Sequence, residues 1–169
     1  MSSRILVDEI YSKTGNTSAL TIDSSGRATS ASLPHFFVHK NAAQTASSPG
    51  EICTWQNVIR NNGNHWDSTN HRFVAPVSGV YMLCLNWLST NQSNSVDLSI
   101  FINANAVQHS RQPNLSGVSG ANHNTNNIVI SYYMGANSYA DVRIGTYNNN
   151  GPIYGDANLW TTFSGHLVG

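Results

Sequence analysis

Residues 66–88 read WDSTNHRFVAPVSGVYMLCLNWL, and this stretch decides the fold. A turn-rich approach leads to a Pro76-Val77-Ser78-Gly79 corner, after which the chain runs as a strand. Alternation sends Tyr81, Leu83, Leu85 and Trp87 to one side and Val80, Met82, Cys84 and Leu88 to the other, interrupted only by Asn86. A strand with one wet face alternates apolar with polar, and this one is apolar on both. One face can fill the domain's own core. The other needs a second cover, and no stretch of the chain has the periodicity of a helix that would supply it. Another copy of the same chain is the simplest cover. Val80, Met82 and Leu88, together with Trp160, are therefore expected to form a subunit contact.

The rest of the chain supplies further strands. Upstream, residues 35–39 and 51–60 are strand-like, with residues 61–64 a turn. Downstream, residues 95–107 read as one strand with Val96, Leu98, Ile100 and Ile102 on one face. Residues 108–127 read as a long loop rich in Gly, Ser and Asn, of the kind that is usually functional or interfacial. Residues 128–134 and 139–147 are strands, and a closing strand starts at Leu159. Short strands between turn signals predict an all-β antiparallel sandwich.

Composition narrows the function. In 169 residues the formal net charge is zero and only 9% are Asp, Glu, Lys or Arg, against about 25% in ordinary soluble domains. Binding a nucleic-acid backbone needs clustered cations, so no nucleic-acid partner is expected. The surface suits contact with protein or sugar. No apolar run approaches membrane-spanning length, and the opening residues lack the pattern of a secretory signal. Cys53 and Cys84 do not make a disulfide framework and are expected to be free thiols.

The chain opens with an arm. Residues 4–11 and 19–23 are short strand candidates separated by turn signals, and residues 24–26 turn again. A two-stranded ribbon is marginal in water. An outside surface is expected to hold it through Ile5, Val7, Ile10, Leu20 and Ile22. The divisions are then an arm (1–27), a Ser/Thr/Ala-rich linker (28–34) and a head (35–169).

A search for chemistry finds little. Ser78 lacks the glycine setting of a nucleophile elbow and reads as a corner residue. Neither the His65/His71 pair nor the His35/His39 pair has a ligand spacing that holds a metal. No catalytic residue, cofactor or metal is expected. A cluster of tyrosines, including Tyr132, Tyr133 and Tyr154, reads chiefly as sheet aromatics, with a sugar-stacking platform as the other reading.

Two resemblances follow. Trp55, Asn61, Trp66, Phe73, Gly79 and Tyr81 stand at spacings that resemble the signature of the C1q-like globular head, a trimeric jelly roll related to tumour necrosis factor. Leu83 and Leu85 stand where that family usually has aromatics. The ending NLWTTFSGHLV at 158–168, with Phe163 and Gly165, is similar to the family's closing strand. The resemblance implies a homotrimeric antiparallel jelly roll, with Trp55, Trp66, Phe73, Tyr81 and Phe163 in its core and its first strand against its last. The opening ILVDEIY…GNTSALTIDSSGR resembles the start of marine and cyanobacterial phage structural proteins. It implies a virion surface protein made in the host cytoplasm and anchored by its arm to the major capsid protein or another virion protein. A capsid decoration or cement protein, or a head spike, is placed first. The alternatives are a tail-fibre or receptor-binding knob that recognises host surface glycan or protein, and a cellular C1q-like lectin.

Overall fold

The computed structural model of the chain describes residues 7–12, 14–15, 18–30, 32–89, 95–112, 123–145 and 152–169. Ile5 lies outside them. The chain divides into two compact units, Met1–Leu33 and Pro34–Gly169.

The first unit is a three-stranded antiparallel sheet of β1 (Glu9–Tyr11), β2 (Ser18–Ile22) and β3 (Ala28–Thr29), in that order. Residues 28–29, expected in the linker, add the third strand. The Asp23 carboxylate closes the turn before it, accepting the backbone N–H groups of Ser25 and Arg27 at 2.9 Å each and the Arg27 Nε at 2.7 Å. Val7 and Ile10 are exposed on this unit, and Leu20 and Ile22 are half-buried.

The second unit is a sandwich of two antiparallel sheets, an all-β jelly roll with no helix among the described residues. One sheet has five strands: β4 (His35–His39), β6 (Asn57–Asn62), β9 (Gly79–Ser89), β12 (Asn124–Met134) and β14 (Thr162–Leu167), in the order β12-β9-β14-β4-β6. The other runs β11-β10-β13-β8-β7, from β7 (Trp66–Asp67), β8 (Arg72–Val74), β10 (Val96–Ile102), β11 (Asn105–Gln112) and β13 (Tyr139–Ile144), with β5 (Glu51–Ile52) also paired to β13. The first strand of this unit lies against its last, from Thr162↔His39 to His166↔His35. The Leu167 N–H donates to Pro34 O at 3.1 Å, and the Val80 N–H donates to Gly169 O. The unit therefore starts and finishes side by side.

Between the sheets lies an aromatic cluster. Phe36 stacks on Phe73 (4.7 Å between centroids) and Trp66 (5.2 Å) and meets Phe163 edge-on at 5.0 Å. Trp55 stacks on Phe163, and Tyr81 tilts against Phe73. Such contacts add about 0.5–1.5 kcal/mol each beyond the area they bury. Gly165 leaves room for this packing: a Cβ there would meet Leu83 Cδ2 and Phe36 Cε1, both at 2.7 Å.

Three expectations about the strands are corrected. Residues 51–60 are not one strand, because β5 and β6 belong to different sheets and the chain crosses between them with Cys53 and Trp55 buried. The crossing is held by side chains remote in sequence. Thr54 N–H donates to Gln44 Oε1 at 2.8 Å, and Asn41 N–H donates to Gln56 Oε1 at 2.8 Å. Residues 95–107 are likewise not one strand but a hairpin of β10 and β11, whose turn residues Asn103 and Ala104 have φ of 50° and 65°. That is the two-residue primed turn, and Asn-Ala signals it more weakly than Asn-Gly does. Tyr139 stabilises it by exchanging hydrogen bonds with Asn103 at 3.0 Å. Of the loop expected over 108–127, residues 108–112 and 124–127 continue β11 and β12.

Candidate functional site

The register of the five-stranded sheet assigns its side chains to two faces. Inward go Tyr81, Leu83, Leu85 and Trp87 of β9 with Phe36, Val38 and Phe163, all fully buried. Outward, β9 presents Val80, Met82 and Cys84. Beside them in register stand Tyr133, Ser131 and Val129 of β12. On the other flank lie His166 and Ser164 of β14, then His35 and Phe37 of β4, then Arg60 of β6. The result is a face with an apolar middle that the described residues leave open: Val80 is 37% exposed, Val129 62% and Tyr133 65%. Exposed apolar surface of this kind marks an interaction site.

At one edge the face carries charge that can be switched. Burial, first, and then the neighbouring His166 and Arg60 hold the His35 imidazole below its ordinary pKa. Protonating it would place another cation beside the Arg60 guanidinium.

The outward side of the other sheet is finished differently. Every residue of β10 is buried, including the outward-facing Asp97, Ser99 and Phe101. The Arg143 guanidinium lies over the Phe101 ring at 4.4 Å while binding the Asp141 carboxylate through Nε at 2.9 Å and Nη2 at 3.2 Å. His109 reaches Ser99 from β11.

The residues expected at the subunit contact separate. Val80 and Met82 stand on the uncovered face. Leu88 shares their direction, yet it is only 4% exposed. The chain's own loop lies beside it: Tyr154 N–H donates to Leu88 O at 2.8 Å, and Leu88 N–H donates to Thr161 Oγ1 at 3.2 Å. Leu88 is thus not free for a partner. Trp160 projects from that loop, 50% exposed. Trp87 is core, its Nε1 donating to Ser110 Oγ at 3.4 Å.

The signature residues have separate physical duties. Trp55, Trp66, Phe73, Tyr81 and Phe163 build the aromatic cluster, and Tyr81 also donates its hydroxyl to Val77 O at 2.9 Å, pinning the corner before β9. Asn61 bridges the turn after β6, its Oδ1 accepting the Trp66 N–H at 2.8 Å. At Gly79 a Cβ would meet Gly169 O at 2.9 Å and Leu167 Cδ1 at 2.6 Å. The close approach of the final residues to β9 requires a glycine there.

Groups that could do chemistry are occupied structurally. Ser78 Oγ accepts the Ala136 N–H at 2.9 Å, and His71 Nδ1 accepts the Trp55 N–H at 3.3 Å. Cys53 and Cys84 are free thiols, and burial pushes Cys53 up to about 11, far from a reactive thiolate. Among the described residues no three of His, Cys, Asp and Glu gather to hold a metal. Sequence reading passed over Lys40, whose fully buried ammonium donates to Gln44 Oε1 (2.7 Å), Thr54 O (2.9 Å) and Thr54 Oγ1 (3.2 Å). Burial lowers its pKa. A lysine following a strand carries no sign of this by itself; its partners are Gln44, four residues on, and Thr54, fourteen residues on.

Comparison with known proteins agrees with this architecture. Residues 35–168 match the C1q domain. Human complement C1q tumor necrosis factor-related protein 3 is 29% identical over 138 residues, which are 82% of this chain and 49% of that protein. The chain thus spans about half the length of the curated relatives it matches. Among solved structures, the globular domain of zebrafish complement 1qA superposes with a TM-score of 0.61 at 13% identity, covering 80% of this chain and 98% of that one. The Eiger TNF of S. frugiperda gives 0.62 at 11% identity, covering 81% and 93%.

Proposed function

The chain belongs to the C1q domain family, and from that footing we propose that it is a non-catalytic homotrimeric head with an N-terminal arm that anchors it to a phage virion surface. Domains of this family form homotrimers. The single observation that carries the reading is the uncovered outward face of the five-stranded sheet, where Val80, Met82, Val129 and Tyr133 await two sister molecules. Burying apolar area contributes roughly 25 cal/mol per Å², so a standard interface over this face yields a stable trimer. The arm supports the second half of the proposal. It is a compact unit of its own with Val7 and Ile10 exposed, and its sequence resembles the opening of phage structural proteins. Residues 1–27, through Val7, Ile10, Leu20 and Ile22 together with Ile5, grip the major capsid protein or another virion protein. The head then adds stability to the shell as a decoration or cement protein.

Deleting residues 1–27 tests this reading. The remaining head is expected to sediment as a trimer and to lose virion attachment. A truncated head that still decorates particles overturns the anchoring role. A monomeric full-length chain overturns the assembly.

The curated relative favours a second reading, a cellular C1q-like ligand, since it is a human protein of this family. Labelling purified virions against the protein separates the two. Label on the capsid supports decoration, label on the tail supports a receptor-binding knob, and its absence from particles supports the cellular reading.

A further inference from the structure

At the end of the five-stranded sheet furthest from Pro34, the chain lines a half-open cavity of about 670 Å³. The β9–β12 ladder begins at Gly79↔Met134, beside Gly169, and ends at Asn124↔Ser89. At about 3.3 Å per residue that is roughly 33 Å of sheet. The volume falls in the range of roughly 300–1,000 Å³ typical of small-ligand pockets.

Its walls have a specific chemistry. Trp160 offers a half-exposed indole, and Leu88 forms an apolar wall. Asp156, Asn158, Asn124 and Thr125 add a carboxylate, two carboxamides and a hydroxyl. Tyr154 completes the wall, and the His123 ring meets it edge-on at 5.7 Å.

The loop that carries these groups is pinned in place. Asp156 Oδ1 accepts the Asn158 N–H at 2.7 Å, while Oδ2 accepts the Tyr154 hydroxyl at 3.0 Å and Asn158 Nδ2 at 2.9 Å. Thr161 Oγ1 donates to Tyr154 O at 2.7 Å, and Leu159 is held at a φ of 61°, a costly conformation for a bulky side chain. Strain of this kind, maintained by surrounding hydrogen bonds, is characteristic of ligand clamps. The bonds to Asn158, and then the Tyr154 hydroxyl and the charge of His39, keep the Asp156 carboxyl below the usual range, so it is an acceptor at neutral pH.

An exposed indole face beside a fixed carboxylate and carboxamides matches one ligand chemistry closely. A pyranose ring presents axial C–H groups to an aromatic plane and hydroxyl donors around its rim. We infer that this cavity binds a neutral saccharide residue, with Trp160 stacked on the ring and Asp156 accepting a hydroxyl proton. A carboxylated or sulfated sugar is disfavoured by the Asp156 charge. The inference adds a ligand site to the proposed surface head but does not depend on where that head is attached.

Trp160 also supplies the probe. The other three tryptophans, Trp55, Trp66 and Trp87, are buried, so the solvent-sensitive part of the emission belongs to Trp160. The full chain is titrated with neutral oligosaccharides built from glucose, galactose, mannose and N-acetylglucosamine, with sialylated and uronic-acid oligosaccharides and tetramethylammonium as comparison arms. The expected result is a saturable blue shift with at least one neutral saccharide. The shift is absent in Trp160→Ala, and calorimetry shows affinity weakened at least ten-fold in Trp160→Ala and in Asp156→Asn. Sedimentation of each variant should match the parent. The inference is overturned if no neutral saccharide binds at millimolar concentration, if only the acidic sugars or tetramethylammonium bind, or if affinity survives Trp160→Ala. It is also overturned if Trp160→Ala dissociates the assembly, because a neighbouring copy then occupies the cavity. Loss of sugar binding with assembly and virion attachment intact leaves the proposed surface role untouched.

Discussion

Strands β9 and β10 each lie one place in from the edge of a sheet, and each sends apolar residues into the shared core. They differ in what lies over their outward sides. Over β10 the chain supplies its own cover: Arg143 lies across Phe101 and His109 reaches Ser99, so the whole strand is buried. Over β9 the described residues cover only the Leu88 end, and Val80 remains open beside Tyr133 and Val129. A polar roof that includes the Arg143–Asp141 ion pair closes over β10 within a single chain. The other sheet is left for a partner to complete, and this asymmetry separates substitutions that weaken the fold from those that weaken the assembly.

The largest effect is expected from Met82→Lys. An uncompensated charge buried at a contact costs about 3–5 kcal/mol, so association should fall at least a hundred-fold while the head keeps its thermal transition. Sedimentation at micromolar concentration checks it, and a variant that stays trimeric breaks the comparison. Phe101→Ala is the counterpart on the roofed side. It is expected to cost about 3 kcal/mol, the low end for a buried phenyl ring, with assembly at fixed folded concentration unchanged; denaturant unfolding and sedimentation together report both. Asn61→Ala leaves the Trp66 N–H without its acceptor and is expected to cost about 1–2 kcal/mol, seen as a lower midpoint with the m-value unchanged.

The smallest effect concerns pH and sharpens the picture at the edge of the open face. The folded pKa of His35 lies below its unfolded value, so the unfolded state takes up the proton first as pH falls. Its contribution is complete above the unfolded value of about 6.5 and is lost as pH falls from there through the folded value. His71, whose pKa burial also lowers, loses stability in the same direction. His35→Gln should flatten only the part of the slope that His35 contributes, as measured by unfolding between pH 7.5 and 5.

Much of this division was legible in residues 79–88, because alternation alone assigns Val80 and Met82 to one side and Tyr81 and Leu83 to the other. Leu88 shows where alternation stops: direction along a strand does not reveal a loop seventy residues away that comes to rest beside it. The roof over β10 was unreadable for the same reason, since Phe101 and Arg143 meet only because β10 and β13 are neighbours in the sheet. The separate strands β5 and β6 needed knowledge of Gln44 and Lys40, whose side chains satisfy the crossing. The Asn103–Ala104 turn was hidden by a residue that seldom adopts positive φ. The cavity at Trp160 is assembled from three segments, and no single stretch of sequence announces it.

The seam at which Pro34 meets Leu167 and Gly169 meets Val80 has a practical consequence. A short splice from residue 169 to residue 34 would re-thread the head as a circular permutant. Cutting it open at the Asn103–Ala104 hairpin instead would present new termini on the outer sheet, away from the face awaiting its partners. Cargo fused there should ride on the assembled trimer without interfering with its formation.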